Sequence, residues 1–260
     1  MNTILALAGV VIKELYRRKD FYVLFVMTAV ITLLMGSVNF FNEDKIVRYV
    51  KDGCLLLIWV ASLVIAIGTA ARQIPSERES RTIFPLLAKP VTRAQVIVGK
   101  FLGCWLACGI SLLVFSVSFV VFSGAKDGHW PLAQYFQALW LHWGALAIVV
   151  AMVLLGSVIF SAPSANASIS LSAILAILLL GAYLNKFAAL QPRVPGLLLS
   201  MLYFLIPHLE WFYGVRERLV FEMSPLAWSD CLLITAYAAA YVGVFLMATW
   251  LVFRRKILTT

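Results

Sequence analysis

Charge is scarce in this chain. Lys, Arg, Asp and Glu make up 13% of its 260 residues, about half the share in an ordinary soluble domain. They are absent from six long apolar runs, residues 21–41, 53–71, 101–122, 136–160, 168–184 and 231–253. Each run approaches or exceeds the roughly 20 residues a helix needs to cross about 30 Å of hydrocarbon. Ionisable groups inside a membrane mark proton relays and ion paths, so their absence argues against ion-coupled chemistry within these segments. The chain is also poor in sites. No G-x-x-x-x-G-K-[ST] phosphate-binding loop occurs, which excludes the P-loop type of nucleotide hydrolase. No nucleophile–base pair or metal-ligand cluster is legible, so no catalytic residue and no metal site are assigned. Cysteine is limited to Cys54, Cys104, Cys108 and Cys231, all in or at the edge of apolar runs. Cys104 and Cys108 share a helix face, but no His or carboxylate lies near them in sequence; they read as packing residues rather than ligands.

What is present is apolar. Hydrophobic residues make up 63% of the chain and the mean hydropathy is +0.95. The expected fold is an all-α integral membrane protein with six transmembrane helices, occupying residues 1–260 as one domain. Six spans place both termini on one side, and the positive-inside rule selects that side. The termini together with the 72–103 region carry 13 of the 21 basic residues and four of the 12 acidic ones, Glu14, Asp20, Glu77 and Glu79. The whole net charge of +9 therefore falls on one face, which is expected to be cytoplasmic. Topology accounts for the basic balance, and no nucleic-acid partner is implied.

Residues 1–20 have Ile4, Leu7, Ala8, Val11 and Leu15 at helical spacing, with their charges after the apolar stretch and no small-residue cleavage site. This is not the pattern of a cleavable signal. It reads as an amphipathic helix in the cytoplasmic interface, or as a cytoplasmic extension of the first span. Residues 185–230 form a long outer loop. Its segment "GLLLSMLYFLIPHLEWFYG" is too short and too interrupted to span, and it predicts a re-entrant or interfacial helix before span six. His208, beside Pro207, reads as a helix-end histidine, and neither His129 nor His142 has a partner at metal-type spacing. The uncharged turn "SAPSANAS" predicts tightly packed antiparallel neighbours.

The elbow at residues 72–98 is the densest charged feature. Six basic residues lie between Arg72 and Lys100. Pro90 stops any helix before it and pushes Lys89 out of the α region, while Pro85 is tolerated only in a first turn. A short helix over residues 82–88 would present Ile83, Leu86 and Leu87 on one face. Thr92-x-x-Gln95 is a capping box, with Val91 and Val96 as its hydrophobic staple, and Ser76-x-x-Glu79 has the same box pattern. A solvated basic loop needs neither the caps nor the apolar face. A projecting helix that a cytoplasmic partner grips uses both. Gly99-x-x-x-Gly103 is a small-xxx-small pair suited to close helix packing, within the chain or between subunits.

The elbow resembles the cytoplasmic signature of the type-2 ABC exporter permease family. The matching positions are Glu79, Thr82, Leu86, Leu87, Pro90, Val91, Thr92, Arg93, Gly99 and Lys100. Arg81 stands where that family often has Gly. The order of elements is also similar, and "LIPHLEWF" resembles a segment that some bacterial members carry. The resemblance implies a membrane-spanning permease subunit that is not itself an enzyme. Its coupling helix (Glu79, Thr82, Ile83, Leu86, Leu87, Pro90, Thr92 and Arg93) would seat in a separate ABC ATPase. ATP and Mg would be bound by that partner. A second permease copy or paralogue would complete the path, in contact with membrane lipid. A non-transporting scaffold or sensor that docks a cytoplasmic partner through the same elbow is the alternative, and an intramembrane enzyme is a third. The uncharged spans point to a lipid-like, amphipathic or peptidic substrate rather than a small ion.

Overall fold

The structure is a computed structural model, and it describes residues 2–17, 22, 26, 30, 44–79, 92–127, 130–221 and 223–255. Among these residues it is all helical. The helices are α1 (Asn2–Tyr16), α2 (Asp44–Ala70), α3 (Pro75–Glu79), α4 (Arg93–Asp127), α5 (Leu132–Ile159), α6 (Pro163–Ala189) and α7 (Arg193–Leu205). A 3₁₀ turn (Leu209–Phe212), α8 (Gly214–Val220) and α9 (Trp228–Arg255) complete the chain. Proline sets many of the boundaries. Pro75 opens α3, Pro131 caps α5, Pro163 is the first residue of α6, Pro192 and Pro195 flank the start of α7, and Pro207 sits in the break after it. Each is a position where a missing N–H costs the helix nothing.

Four stretches are long and apolar enough to cross a membrane: Arg48–Glu79, Arg93–Val121, Leu132–Ile159 and Trp228–Arg255. They contain the expected runs 53–71, 101–122, 136–160 and 231–253, apart from one residue at the ends of the second and third. α5, at 28 residues, is about 42 Å long. The pair Val194–Leu205 and Leu209–Val220 passes the same test only when taken together, across a break. The expected run 168–184 lies within α6, whose apolar stretch Pro163–Leu179 is shorter than a full span. The expected span 21–41 falls outside the described residues.

α5 is the centre of the bundle. Ala145 to Ala151, Val153, Leu154 and Val158 are buried on every side of it, as expected of a helix that is hydrophobic all round. α2, α4 and α9 pack around it. α4 and α5 are antiparallel. At their crossing each indole donates to the other's backbone, Trp105 Nε1 to the Trp143 carbonyl at 3.0 Å and Trp143 Nε1 to the Trp105 carbonyl at 3.2 Å. The rings stack at 4.3 Å. α9 runs parallel to α5, with Trp140 Nε1 donating to Thr235 Oγ1 at 3.0 Å. The α5–α6 hairpin turns through residues 160–162. It packs so tightly that a Cβ on Gly156 would collide with Asn166 Oδ1.

α1 runs alongside the start of α4 in the same direction. Leu7 faces Gly99 and Val11 faces Gly103, both pairs offset by the same number of residues. A Cβ on Gly99 would stand 2.7 Å from Leu7 Cβ, and one on Gly103 would stand 2.6 Å from Val11 Cβ. Gly99 and Gly103 are therefore the notches that receive α1 of the same chain.

α7, the 3₁₀ turn and α8 occupy the region expected to be a long outer loop. Their turn at 206–208 is held by α9: the Tyr237 hydroxyl accepts from His208 N–H at 2.8 Å and lies 2.9 Å from His208 Nδ1. Tyr241 donates to the Phe204 carbonyl at 3.2 Å. Tyr237 lies nine residues inside α9, a descent of about 14 Å from Trp228. After α8 the chain is back at the start of α5, where Gln134 and Gln137 donate to the carbonyls of Met223 (2.6 Å) and Leu226 (2.9 Å).

Candidate functional site

The two limbs of the elbow, α3 and the start of α4, meet at one end of the bundle. The second limb begins as the sequence requires. Gln95 N–H donates to Thr92 Oγ1 at 3.3 Å, and Thr92 N–H donates to Gln95 Oε1 at 2.9 Å. This is a reciprocal capping box. Val96 is buried behind it, while its expected staple partner Val91 lies outside the described residues.

The box expected at Ser76-x-x-Glu79 does not form. Ser76 is inside α3, its N–H donating to the Arg72 carbonyl at 3.1 Å and its hydroxyl to the same carbonyl at 2.6 Å. The helical path runs on from α2 through the turn at 71–74, with Ala71 N–H bonded to Ile67 and Arg78 N–H to Ile74. An N-cap residue must sit outside helical geometry, and Ser76 does not.

That turn leaves carbonyls without regular helical partners, and other helices supply the donors. Asn166 of α6, fully buried, donates from Nδ2 to the Ala71 carbonyl at 3.3 Å and to the Val153 carbonyl of α5 at 3.2 Å. Its Oδ1 accepts from Ser170 at 3.2 Å. Lys100 of α4, 3% exposed, donates from Nζ to the Gln73 carbonyl at 2.9 Å. The same ammonium lies 2.7 Å from Glu77 Oε1 and 3.5 Å from Gln73 Oε1. An ammonium has three donors, and all three have acceptors on the first limb. Gln73 is buried in turn and donates to the Thr69 carbonyl at 3.3 Å. Glu77 Oε2 is buried and finds no hydrogen-bond partner, so Lys100 supplies this carboxylate's one charged contact among the described residues.

Arg93 is the first residue of α4, and its guanidinium reaches the end of α9. Nη1 donates to the carbonyls of Phe253 (2.8 Å) and Arg254 (3.0 Å), and the guanidinium carbon sits 5.5 Å from the centre of the Phe253 ring. The last four carbonyls of a helix lack intrahelical donors, and a cation there also meets the negative end of the helix dipole. Arg93 thus caps α9 across 160 residues of sequence.

Of the residues read from sequence as the coupling set, Thr92 and Arg93 form the base of the second limb, and Glu79 is the exposed last residue of α3. Thr82, Ile83, Leu86, Leu87 and Pro90 lie outside the described residues. In the sequence Lys100 stands out only as one of the elbow's basic residues and as a position matching the family pattern, and no motif there marks Gln73, Glu77 or Asn166 as functional residues. The partners of Lys100 are 23 and 27 residues away, beyond any helical spacing. The one available signal was Gln73 and Glu77 lying four apart, hence on one helix face.

A second polar cluster lies toward the other end of the bundle. Ser62 of α2 and His142 of α5 share a 2.7 Å hydrogen bond. Ser62 gives its single proton to the Trp59 carbonyl at 2.9 Å, so its oxygen accepts from His142 Nε2–H. A cavity of about 50 Å³ adjoins His142 and is roofed by Tyr213 and Arg216. Arg216 is in turn fixed by Asp52, at 2.9 Å from Nε and 2.7 Å from Nη2. Among the described residues no three His, Cys, Asp or Glu side chains converge as metal ligands, and all four cysteines are buried and free.

Long apolar helices packed around an apolar central helix define a multi-pass membrane protein. The chain matches the family model of ABC-2 family transporter proteins over residues 12–256, and it belongs to that family. It is a membrane subunit of an ABC transporter, a transport subunit from a class that is generally non-catalytic and that associates with an ABC ATPase. Comparison with curated proteins gave no match.

Proposed function

We propose that the chain is the permease subunit of an ATP-driven exporter in a bacterial inner membrane. Two permeases, identical or paralogous, form the path, and a separate ATPase binds ATP and Mg and drives it through the elbow. The elbow end is cytoplasmic, as are both termini. This orientation is supported by the gathering of Arg72, Arg78, Arg93, Arg254 and Arg255 at that end. The α7–α8 pair is a re-entrant element entering from the outer face. Support for that comes from its turn lying against Tyr237 and Tyr241 while its exit lies against Gln134 and Gln137. The spans present apolar surface, which favours an amphipathic, lipid-like or peptidic substrate.

The observation that carries the reading is the construction of the elbow's base. Buried or half-buried side chains at Lys100, Arg93 and Asn166 tie it to α3, α9 and the α5–α6 hairpin. A loop that merely joins two spans has no use for such anchorage. In physical terms, ATP binding changes the relative free energy of two packings, and the bundle follows as rigid helices. The test is affinity capture of the chain from native membranes in mild detergent, with mass spectrometry of its companions. A stoichiometric ATPase is expected, and Leu86→Asp should release it while leaving membrane insertion intact. Capture without any ATPase would favour a docking scaffold, and an ATPase that survives Leu86→Asp would refute the docking assignment.

A further inference from the structure

We infer that Lys100 is a positioning residue for energy coupling: it locks the hinge between α2 and α3 so that displacement of the elbow moves α2 instead of folding the turn. The inference rests on the coupling role proposed for the elbow. It begins with a mechanical weakness. α3, described over Pro75–Glu79, joins α2 through the turn at 71–74. A force applied beyond Glu79 meets that turn before it meets α2. Left to itself, a turn whose carbonyls lack regular helical partners bends, and the displacement is spent there.

Lys100 closes the pivot. Its ammonium holds the Gln73 carbonyl inside the turn and the Glu77 carboxylate inside α3 at the same time, at 2.9 and 2.7 Å. Two attachments on opposite sides of a hinge, made by one side chain, fix its angle. The Lys100 side chain is 4% exposed and the Glu77 side chain 28%, so water and salt reach the contact only from the Glu77 side. The other carboxylate oxygen of Glu77, Oε2, is buried and has no hydrogen-bond partner. Rotating α3 away would strand the buried Lys100 ammonium, which makes the hinge stiff in either direction. α4 carries Lys100 and Arg93 on one rigid helix, and Arg93 grips α9. Input at the elbow therefore reaches α2 through the locked hinge, α4 through the chain itself and α9 through Arg93.

The test uses the intact complex purified from membranes with its ATPase. A single cysteine is placed at Tyr49 or at Leu232, both exposed and both at the ends of their helices away from the elbow. Its reaction rate with a membrane-impermeant maleimide is measured with and without ATP and orthovanadate. In the parent complex the nucleotide should change the rate at one or both positions. Lys100→Met should retain the ATPase at full stoichiometry, yet its rate should stay at the nucleotide-free value. Lys100→Arg should restore the response. If Lys100→Met accumulates poorly, Glu77→Gln removes the charge while keeping the side chain's shape, and the same loss of response is expected. A normal nucleotide response in either variant, with the ATPase bound, overturns the inference and leaves the transporter reading standing. An ATPase-free parent, or one whose rates ignore nucleotide at both positions, overturns both.

Discussion

Replacing Gly103 with alanine adds one methyl group at the place where α1 meets α4. The added Cβ would sit 2.6 Å from Val11 Cβ, 2.9 Å from Val11 Cγ1 and 3.0 Å from the Ala8 carbonyl oxygen. Two of these neighbours are atoms close to or in the backbone, so no side-chain rotation relieves the overlap; α1 must lift. Overpacking of this kind costs about 1–3 kcal/mol, which favours the undocked helix by about 5- to 150-fold. Docking can be read at Ala8, which is 2% exposed. In an Ala8→Cys protein the thiol is reached by maleimide only when α1 lifts, and the four native cysteines are buried and contribute little background. Gly103→Ala should raise the labelling rate by the factor given. Gly9→Ala is the control, since a Cβ there meets nothing within 4 Å and improves helix propensity by up to about 1 kcal/mol. Adding Val11→Gly to Gly103→Ala moves the notch to the other helix and should recover much of the protection. Labelling of Gly103→Ala at the Gly9→Ala rate would refute the close crossing and the packing role given to Gly103.

Two further substitutions test the base of the elbow. Asn166→Leu strands the Ala71 carbonyl and removes a bond to Val153, at a cost of about 1–3 kcal/mol per orphaned group; the thermal midpoint of the detergent-solubilised protein should fall by several degrees, and unchanged melting would mean that the turn at 71–74 is satisfied without α6. Arg93→Gln removes a charged donor from the last carbonyls of α9, worth about 1.5–3 kcal/mol, so amide hydrogen exchange over residues 250–255 should accelerate while the middle of α9 stays protected. Equal exchange in both proteins would detach Arg93 from α9.

The bundle was legible where a local pattern decides it. Apolar run length located α2, α4, α5 and α9, because a helix crossing hydrocarbon needs a set number of residues and tolerates few charges. Thr92 and Gln95 announced their cap because both partners lie within one turn. The same pattern misled at Ser76, where the helix had already begun at Pro75; the pattern alone does not say whether a residue is outside helical geometry. The long-range contacts were hidden for a different reason. Lys100 to Glu77, Arg93 to Phe253 and Asn166 to Ala71 join positions whose nearness is created by the packing of the bundle itself. Composition even disguised them, since Lys100 and Arg93 are counted among the charges that set orientation, and nothing in a count distinguishes a solvated lysine from a buried one. Gly99 and Gly103 fell between these cases. Their spacing promised a close crossing, and the structure supplies the partner, α1.

The closure of the elbow's base by Lys100, Gln73 and Glu77 has a consequence for how this part of the chain can change. Glu77 and Arg93, on either side of residues 80–91, are each held by another helix. A graft at residues 80–91 is therefore expected to leave Glu77 and Arg93 in place, because the lysine and the helix end that hold them belong to the bundle.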